Sequence, residues 1–243
     1  MTITINNSFS FVIQGIVPVI IGITIVLLGV LKWINTKLEA YDPLSKPTGL
    51  VVVCIMAVEF IDGMIKDIMG QRSVEKLGPY LGSLALYILA GQYVALLGFE
   101  APCGNWSVTL VLALITYIMI QRSDIKNNGI KAYAHSFIEP IFLFLLPNIF
   151  GNLAPLLSMS LRLFGNNISG SIIMELVYQL GNTISNVFWS LFGLKDIFNF
   201  VGPIIATPLH LYFDLFSGAI QMYIFIMLTM VFVGNTIPDE NKN

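Results

Sequence analysis

The sequence predicts an all-α polytopic membrane protein, with about five transmembrane helices and one interfacial amphipathic helix. Three observations predict it. Of 243 residues, 56% are hydrophobic and 11% are charged, against about 25% charged in an ordinary soluble domain. Mean hydropathy is +0.82. Apolar runs of about 15 to 20 residues recur along the chain, close to the ~20 residues that cross a hydrocarbon layer ~30 Å thick. The whole chain, residues 1–243, reads as a single membrane domain with short loops and no large soluble domain. Its net charge of -2, without a basic patch interleaved with aromatics, gives no reason to propose nucleic acid as a partner.

The first span is 11–33. It follows a polar, uncharged start (Thr2 to Ser10) that does not read as a cleavable leader, and it is long enough to remain a span. Residues 50–69 differ. They begin apolar and then carry Glu59, Asp62, Lys66 and Asp67, while Phe60, Ile61, Met64, Ile65 and Ile68 keep helical spacing beside them. That pattern predicts an amphipathic helix lying partly in the interface. Spans at 79–98 and 106–120 come next, separated by a short loop without Lys or Arg. Two long stretches, 137–180 and 200–234, close the chain. The first far exceeds a perpendicular crossing, so it must start at the interface, tilt strongly or bend, with Pro140, Pro147 and Pro155 as bend sites. Lys and Arg number six in 32–76, none in 99–105, three in 121–136 and one in the 181–199 link. The alternation puts the N-terminus outside and the C-terminus inside.

Arg162 sits in about 40 residues that otherwise read as membrane core. A cation at that depth costs from roughly 3 to over 10 kcal/mol, depending on the reference state. The default reading of such a residue is a functional site. Ser158, Arg162, Asn166, Ser169 and Gly170 recur at spacings of four, four, three and one, which lie on one helix face. Gly165 and Gly170 remove bulk beside the arginine and let another helix approach. Arginine stays protonated in a poor dielectric, where lysine readily loses its proton. The competing reading is an arginine pinned to a carboxylate of its own bundle. On the last helix His210, Asp214, Ser217 and Gln221 recur at four, three and four, again one face. They form a hydrated half-path for a proton or cation, or simply hydrogen-bond across helices, with Asp214 neutralising Arg162 and His210 at the interface. Glu175, thirteen residues beyond Arg162, reads either as a relay carboxylate or as an interfacial one.

Cys54 and Cys103 are too few and too far apart for a metal motif and read as apolar packing. There is no phosphate loop, no HExxH, no GxSxG, and no nucleophile paired with a base, so no catalytic residue, cofactor or metal is assigned and the chain is not read as an enzyme by itself.

At LSMSLRLFGNNISG the sequence resembles subunit a of rotary F-type ATP synthases. That family carries S-L-x-L-R-L-F-G-N around an essential arginine, and a polar residue seven before a glutamine, here Asp214 and Gln221 in DLFSGAIQMYIF. The likeness extends to VEFIDGMIKDIMG, similar to an inner amphipathic helix, and to NWSVTL at the third span. The resemblance implies a non-catalytic stator subunit whose last two long helices tilt as a hairpin against a ring of c subunits, with peripheral-stalk subunit b and the bilayer as further partners. It implies two offset proton half-channels separated by Arg162, with Asn166 and Gln221 as polar neighbours and Asp214 at a half-channel position. Many relatives read G-E where this chain reads Gly170-Ser171, so Asp214 or Glu175 would supply the missing acid, and Asn105 stands where some relatives have Asp. The short plan points to a bacterial plasma membrane, with an organellar inner membrane the alternative. Outside this family, the rival reading is a stand-alone secondary transporter binding an anion at Arg162. Such proteins show repeats, and none is visible here. A purely structural assembly protein leaves both polar stripes unexplained.

Overall fold

The computed structural model describes residues 2–39, 49–138, 142–190 and 198–237. Among the described residues there is no strand, and the α-helices are α1 (Thr2–Glu39), α2 (Leu50–Met69), α3 (Gln71–Tyr93), α4 (Trp106–Asn128), α5 (Ile130–Ser136), α6 (Leu145–Ser190), α7 (Val201–His210) and α8 (Ser217–Asn235). A widened π-helical turn, Leu211–Phe216, joins α7 to α8. This is the all-α polytopic architecture expected from composition.

Helix ends obey local chemistry. Gly70 separates α2 from α3 with φ +85°, a conformation open mainly to glycine, while its N–H still closes α2 on the Lys66 carbonyl at 3.1 Å. Asn105 caps α4, its Oδ1 accepting the Ser107 N–H at 2.9 Å. That bond gives Asn105 a structural role at the start of α4.

Helix α8 is the centre of the bundle. Its Phe225, Ile226, Met230 and Val233 are buried against Ile65 and Met69 of α2, Leu81, Leu84 and Ile88 of α3, Ala113 of α4 and Met159 and Leu163 of α6. In α2, Ile65 and Met69 face inward and Glu59, Lys66 and Asp67 are exposed, but Phe60 of the expected apolar face is exposed as well. Helix α1 stands at the edge, with Ile21, Ile25, Val26 and Leu28 more than half exposed. A helix apolar on its outer faces suits hydrocarbon rather than water. Four segments are long and apolar enough to cross a membrane: Gly15–Thr36, Ser73–Leu97, Trp106–Asn128 and Val201–Gly234. Helix α6 has the length but not the hydropathy, because its polar residues dilute it.

At 46 residues, α6 is about 69 Å long. It continues ten residues past the expected end at 180. Pro140 lies outside the described residues; Pro147 and Pro155 both fall inside α6 without interrupting it. Pro147 occupies the first turn, where its missing N–H has no helical partner to lose. The C-terminal part of α6 is clasped to α7. A Cβ on Gly181 would lie 2.3 Å from the Gly202 Cα, so the two backbones touch. Ser185 Oγ donates to the Gly181 carbonyl at 2.7 Å and accepts the Val201 N–H at 3.2 Å. Asn199 donates to the Tyr178 carbonyl at 3.2 Å and accepts from Gly202 N–H at 2.9 Å. Near its other end, Asn152 of α6 joins Gln121 and Tyr117 of α4 and Tyr133 of α5 in one hydrogen-bonded group.

Both cysteines are free. Cys103 lies in the turn between α3 and α4, and burial pushes its thiol up to about 12. The raised value means that burial of the neutral thiol stabilises the fold below its ordinary pKa of 9.0 and ceases to do so as pH climbs toward 12. Two outcomes are expected. In the folded protein near pH 8, maleimide leaves Cys103 unmodified and labels it only after denaturation, because the reactive species is the thiolate. Gly181→Ala lowers stability by about 1–3 kcal/mol by overpacking the α6–α7 contact, read from denaturation in detergent; unchanged stability would show that the contact is not tight.

Candidate functional site

Met159 and Leu163 fix the inward face of α6, both fully buried. Arg162 is on the flank of that face and half-buried, with Ser158, Gly165 and Ser169 exposed along the same edge. Its Nη2 donates to Ser158 Oγ at 3.5 Å, and it makes no ion pair with a described residue. The reading in which Arg162 is neutralised by Asp214 therefore does not describe this fold, because Asp214 is engaged elsewhere.

The two polar helices meet in a definite register. Ser217 Oγ donates to Asn166 Oδ1 at 2.6 Å. Four residues further along α6, Gly170 packs on Phe213, four residues back from Ser217; a Cβ added at Gly170 would lie 3.8 Å from the Phe213 Cβ. Eleven further, Gly181 meets Gly202, eleven further back. The helices run antiparallel in step, so four residues down from Asn166, Arg162 stands level with Gln221. Gln221 is buried and its side-chain N–H₂ finds no partner among the described residues. The same holds for Gln92 at the end of α3, whose Cβ would be 3.1 Å from a Cβ on Gly218. Two unsatisfied amide donors thus lie near the level of the arginine, an arrangement costly unless water or a partner group completes it.

A second group sits higher on the hairpin. His210 Nδ1 and Asp214 Oδ2 are 2.6 Å apart, and Tyr178 O–H and His210 Nε2 are 3.2 Å apart. With Nδ1–H donating to the carboxylate, Nε2 of neutral imidazole accepts from the tyrosine; the imidazolium donates at both nitrogens. The chain Tyr178–His210–Asp214 can pass a proton along its length without moving a backbone atom.

Sequence periodicity placed His210, Asp214, Ser217 and Gln221 on one face. The structure divides them. In the widened turn the Ser217 N–H bonds the Tyr212 carbonyl, five residues back rather than four, and one extra residue rotates the remainder of the helix by roughly 100°. His210 and Asp214 pair with each other and with Tyr178, whereas Ser217 pairs with Asn166. Glu175 joins neither group: it is exposed, its Oε1 accepting from Gln179 at 3.3 Å. Ser171 is also exposed and bonds its own helix at the Ile168 carbonyl, 2.9 Å. Tyr178 and Gln92 escaped the sequence reading. A tyrosine or glutamine alone in an apolar run signals little until its neighbour across the helix pair is known.

The fold and this site define a class: a polytopic membrane protein whose longest helix carries an arginine that is unpaired among the described residues and level with buried amides. Residues 16–234 match the family described as ATP synthase A chain. ATP synthase subunit a 2 of Acaryochloris marina is 26% identical over 216 residues, 87% of this chain and 82% of the relative. Subunit a of Nitrosospira multiformis is 27% identical over 213 residues, 87% and 75% of the two chains. That of Oceanobacillus iheyensis is 28% identical over 218 residues, 86% and 84%. The chain belongs to the ATP synthase A chain family, that of ATP synthase subunit a.

Asn166→Ala and Ser217→Ala are expected to be strongly non-additive in denaturation, with a coupling energy of about 1 kcal/mol for the shared hydrogen bond. Additive effects would mean that α6 and α8 are not joined at this point.

Proposed function

We propose that this chain is the proton-translocating stator subunit of a rotary ATP synthase, with Arg162 separating two half-channels that open on a ring of c subunits. The observation that carries the reading is the unpaired guanidinium. It lies on an exposed edge of α6, held only by Ser158, with no described carboxylate of its own chain beside it. A permanent cation there favours an ionised carboxylate on a facing c subunit. A neutral, protonated one passes into the lipid and has no reason to stay. Protons then cross only by riding the ring, and the roughly 2.3 kcal/mol per charge per 100 mV across the membrane becomes torque.

The other residues take roles around that gate. Asn166, Ser217 and Gln221 hold the polar seam between α6 and α8 at and next to the arginine. Asp214, His210 and Tyr178 lie toward the far end of α6; with the N-terminus outside and the C-terminus inside, that is the outer half-channel. Asp214 supplies the acid that Ser171 does not, and Glu175, exposed and turned to Gln179, is left at the outer rim. Helix α6 serves as the fifth span. Its ~69 Å length exceeds a ~30 Å hydrocarbon layer more than twofold, so it runs obliquely, as a surface lying along a ring requires. Subunit b and lipid cover the remaining apolar faces, the membrane is a bacterial plasma membrane, and ATP chemistry resides on other subunits.

Arg162→Ala in membranes holding the intact complex is expected to abolish ATP-driven proton pumping while leaving assembly with the c-ring intact. Pumping at the parental level by that variant would overturn the gate. A purified chain that carries an anion by itself, without a c-ring, would favour the transporter instead.

A further inference from the structure

The widened turn Leu211–Phe216 sets where Asp214 points, and one side chain from outside the hairpin touches it. Tyr93 is the last residue of α3. Its O–H donates to the Leu215 carbonyl at 3.3 Å, and its ring lies 3.6 Å from where a Cβ on Gly218 would be. Helix α3 is a firm mount for it, since Leu81, Leu84, Ala85 and Ile88 are buried in the core. We propose that Tyr93 is a positioning residue: it holds the turn in its widened form and thereby keeps Asp214 against His210, which Tyr178 holds from the other side. The inference rests on the proposed half-channel role of Asp214 for its consequence, but not for its geometry.

Azimuth is what the turn controls. Were it to relax to regular α-helix, the residues on one side of it would rotate by roughly 100° against those on the other. Ser217 is tied to Asn166 and Gly202 to Gly181, so both ends are held by α6. The rotation would have to be taken up between them, at Phe213, Asp214 and Leu215. The Leu215 carbonyl would swing away from Tyr93, and the Tyr93 bond therefore selects the widened state. Gly218 permits this docking, because any larger residue there meets Gln92 and Tyr93. The group facing Asp214 is His210, the last residue of α7, which in turn bonds Tyr178 of α6; Tyr93 of α3 is committed to the Leu215 carbonyl. Arg162 lies about 10 Å further along α6, at the level of Gln221.

The test uses Tyr93→Phe, which keeps the ring and removes the hydroxyl. Its structural arm is a disulfide. Gly170→Cys with Phe213→Cys places two Cβ atoms about 3.8 Å apart, inside the ~3.5–4.5 Å disulfide range. In the intact complex, oxidised in its membrane and mapped by mass spectrometry with Cys54 and Cys103 in place, the pair is expected to cross-link. Adding Tyr93→Phe is expected to lower the cross-linking rate about fivefold, the weight of one hydrogen bond. The functional arm is the pH profile of ATP-driven pumping, measured without the cysteine pair. Tyr93→Phe is expected to move it in the same direction as His210→Gln, since both free Asp214 from the histidine. An unchanged cross-linking rate overturns the proposal whatever pumping does. A lowered rate with an unmoved pH profile overturns the link to Asp214. If the parental complex shows no proton pumping, the half-channel reading falls, and the disulfide arm still decides whether Tyr93 holds the turn.

Discussion

A guanidinium that forms no ion pair with any described residue of its own chain is the constraint around which the rest of this molecule is arranged. It must be solvated by groups that do not cancel it. Ser158 supplies the single hydrogen bond seen here, and the exposed Gly165 keeps the flanking surface low. On the opposing helix, Gln221 brings an amide to the same level with donors still open. A facing carboxylate on the same level would give a more stable ion pair and an inert one. Asp214 is kept away from that fate by its bond to His210.

The packing serves this arrangement. Helix α8 is both the hub of the apolar core and one wall of the polar seam, so its faces are divided between Phe225, Ile226 and Met230 inward and Ser217 toward Asn166. The clasp of Gly181 on Gly202 fixes α6 and α7 at one end, and the Asn152 group ties α6 to α4 and α5 near the other. Between these two ties Ser158, Gly165 and Ser169 leave the edge bearing Arg162 exposed among the described residues. A helix anchored at its ends and open at its middle is what the proposed sliding contact needs.

Much of this was legible in the residues. The spans, the amphipathic α2 and the Arg162 stripe can all be read from periodicity, because burial imposes a repeat that composition records. Arg162 stood out because charge is rare in an apolar run, and SLRLFGN located it in a family. The division of the second stripe was not legible. Periodicity assumes a constant 3.6 residues per turn, and nothing in LYFDLF announces an extra residue. Nor does sequence spacing tell that Asp214 goes to His210 rather than to Arg162, since both partnerships satisfy the same charges. Asn105 shows the converse: a position of interest by its counterparts in other chains turns out to cap a helix.

The step-for-step register of the two antiparallel helices also bears on how this chain can change. Adding or deleting one residue between Arg162 and Ser190, or between Val201 and Gln221, would displace one partner by about 1.5 Å and 100° against the other. Arg162 would then face a lipid-side residue instead of Gln221. These arms can diverge by substitution, yet their lengths are held fixed in pairs. The widened turn is part of that register rather than an exception to it: Ser217 on Asn166 and Gly202 on Gly181 are equally spaced along both helices with the turn between them, so deleting its extra residue would break the step as surely as a deletion elsewhere.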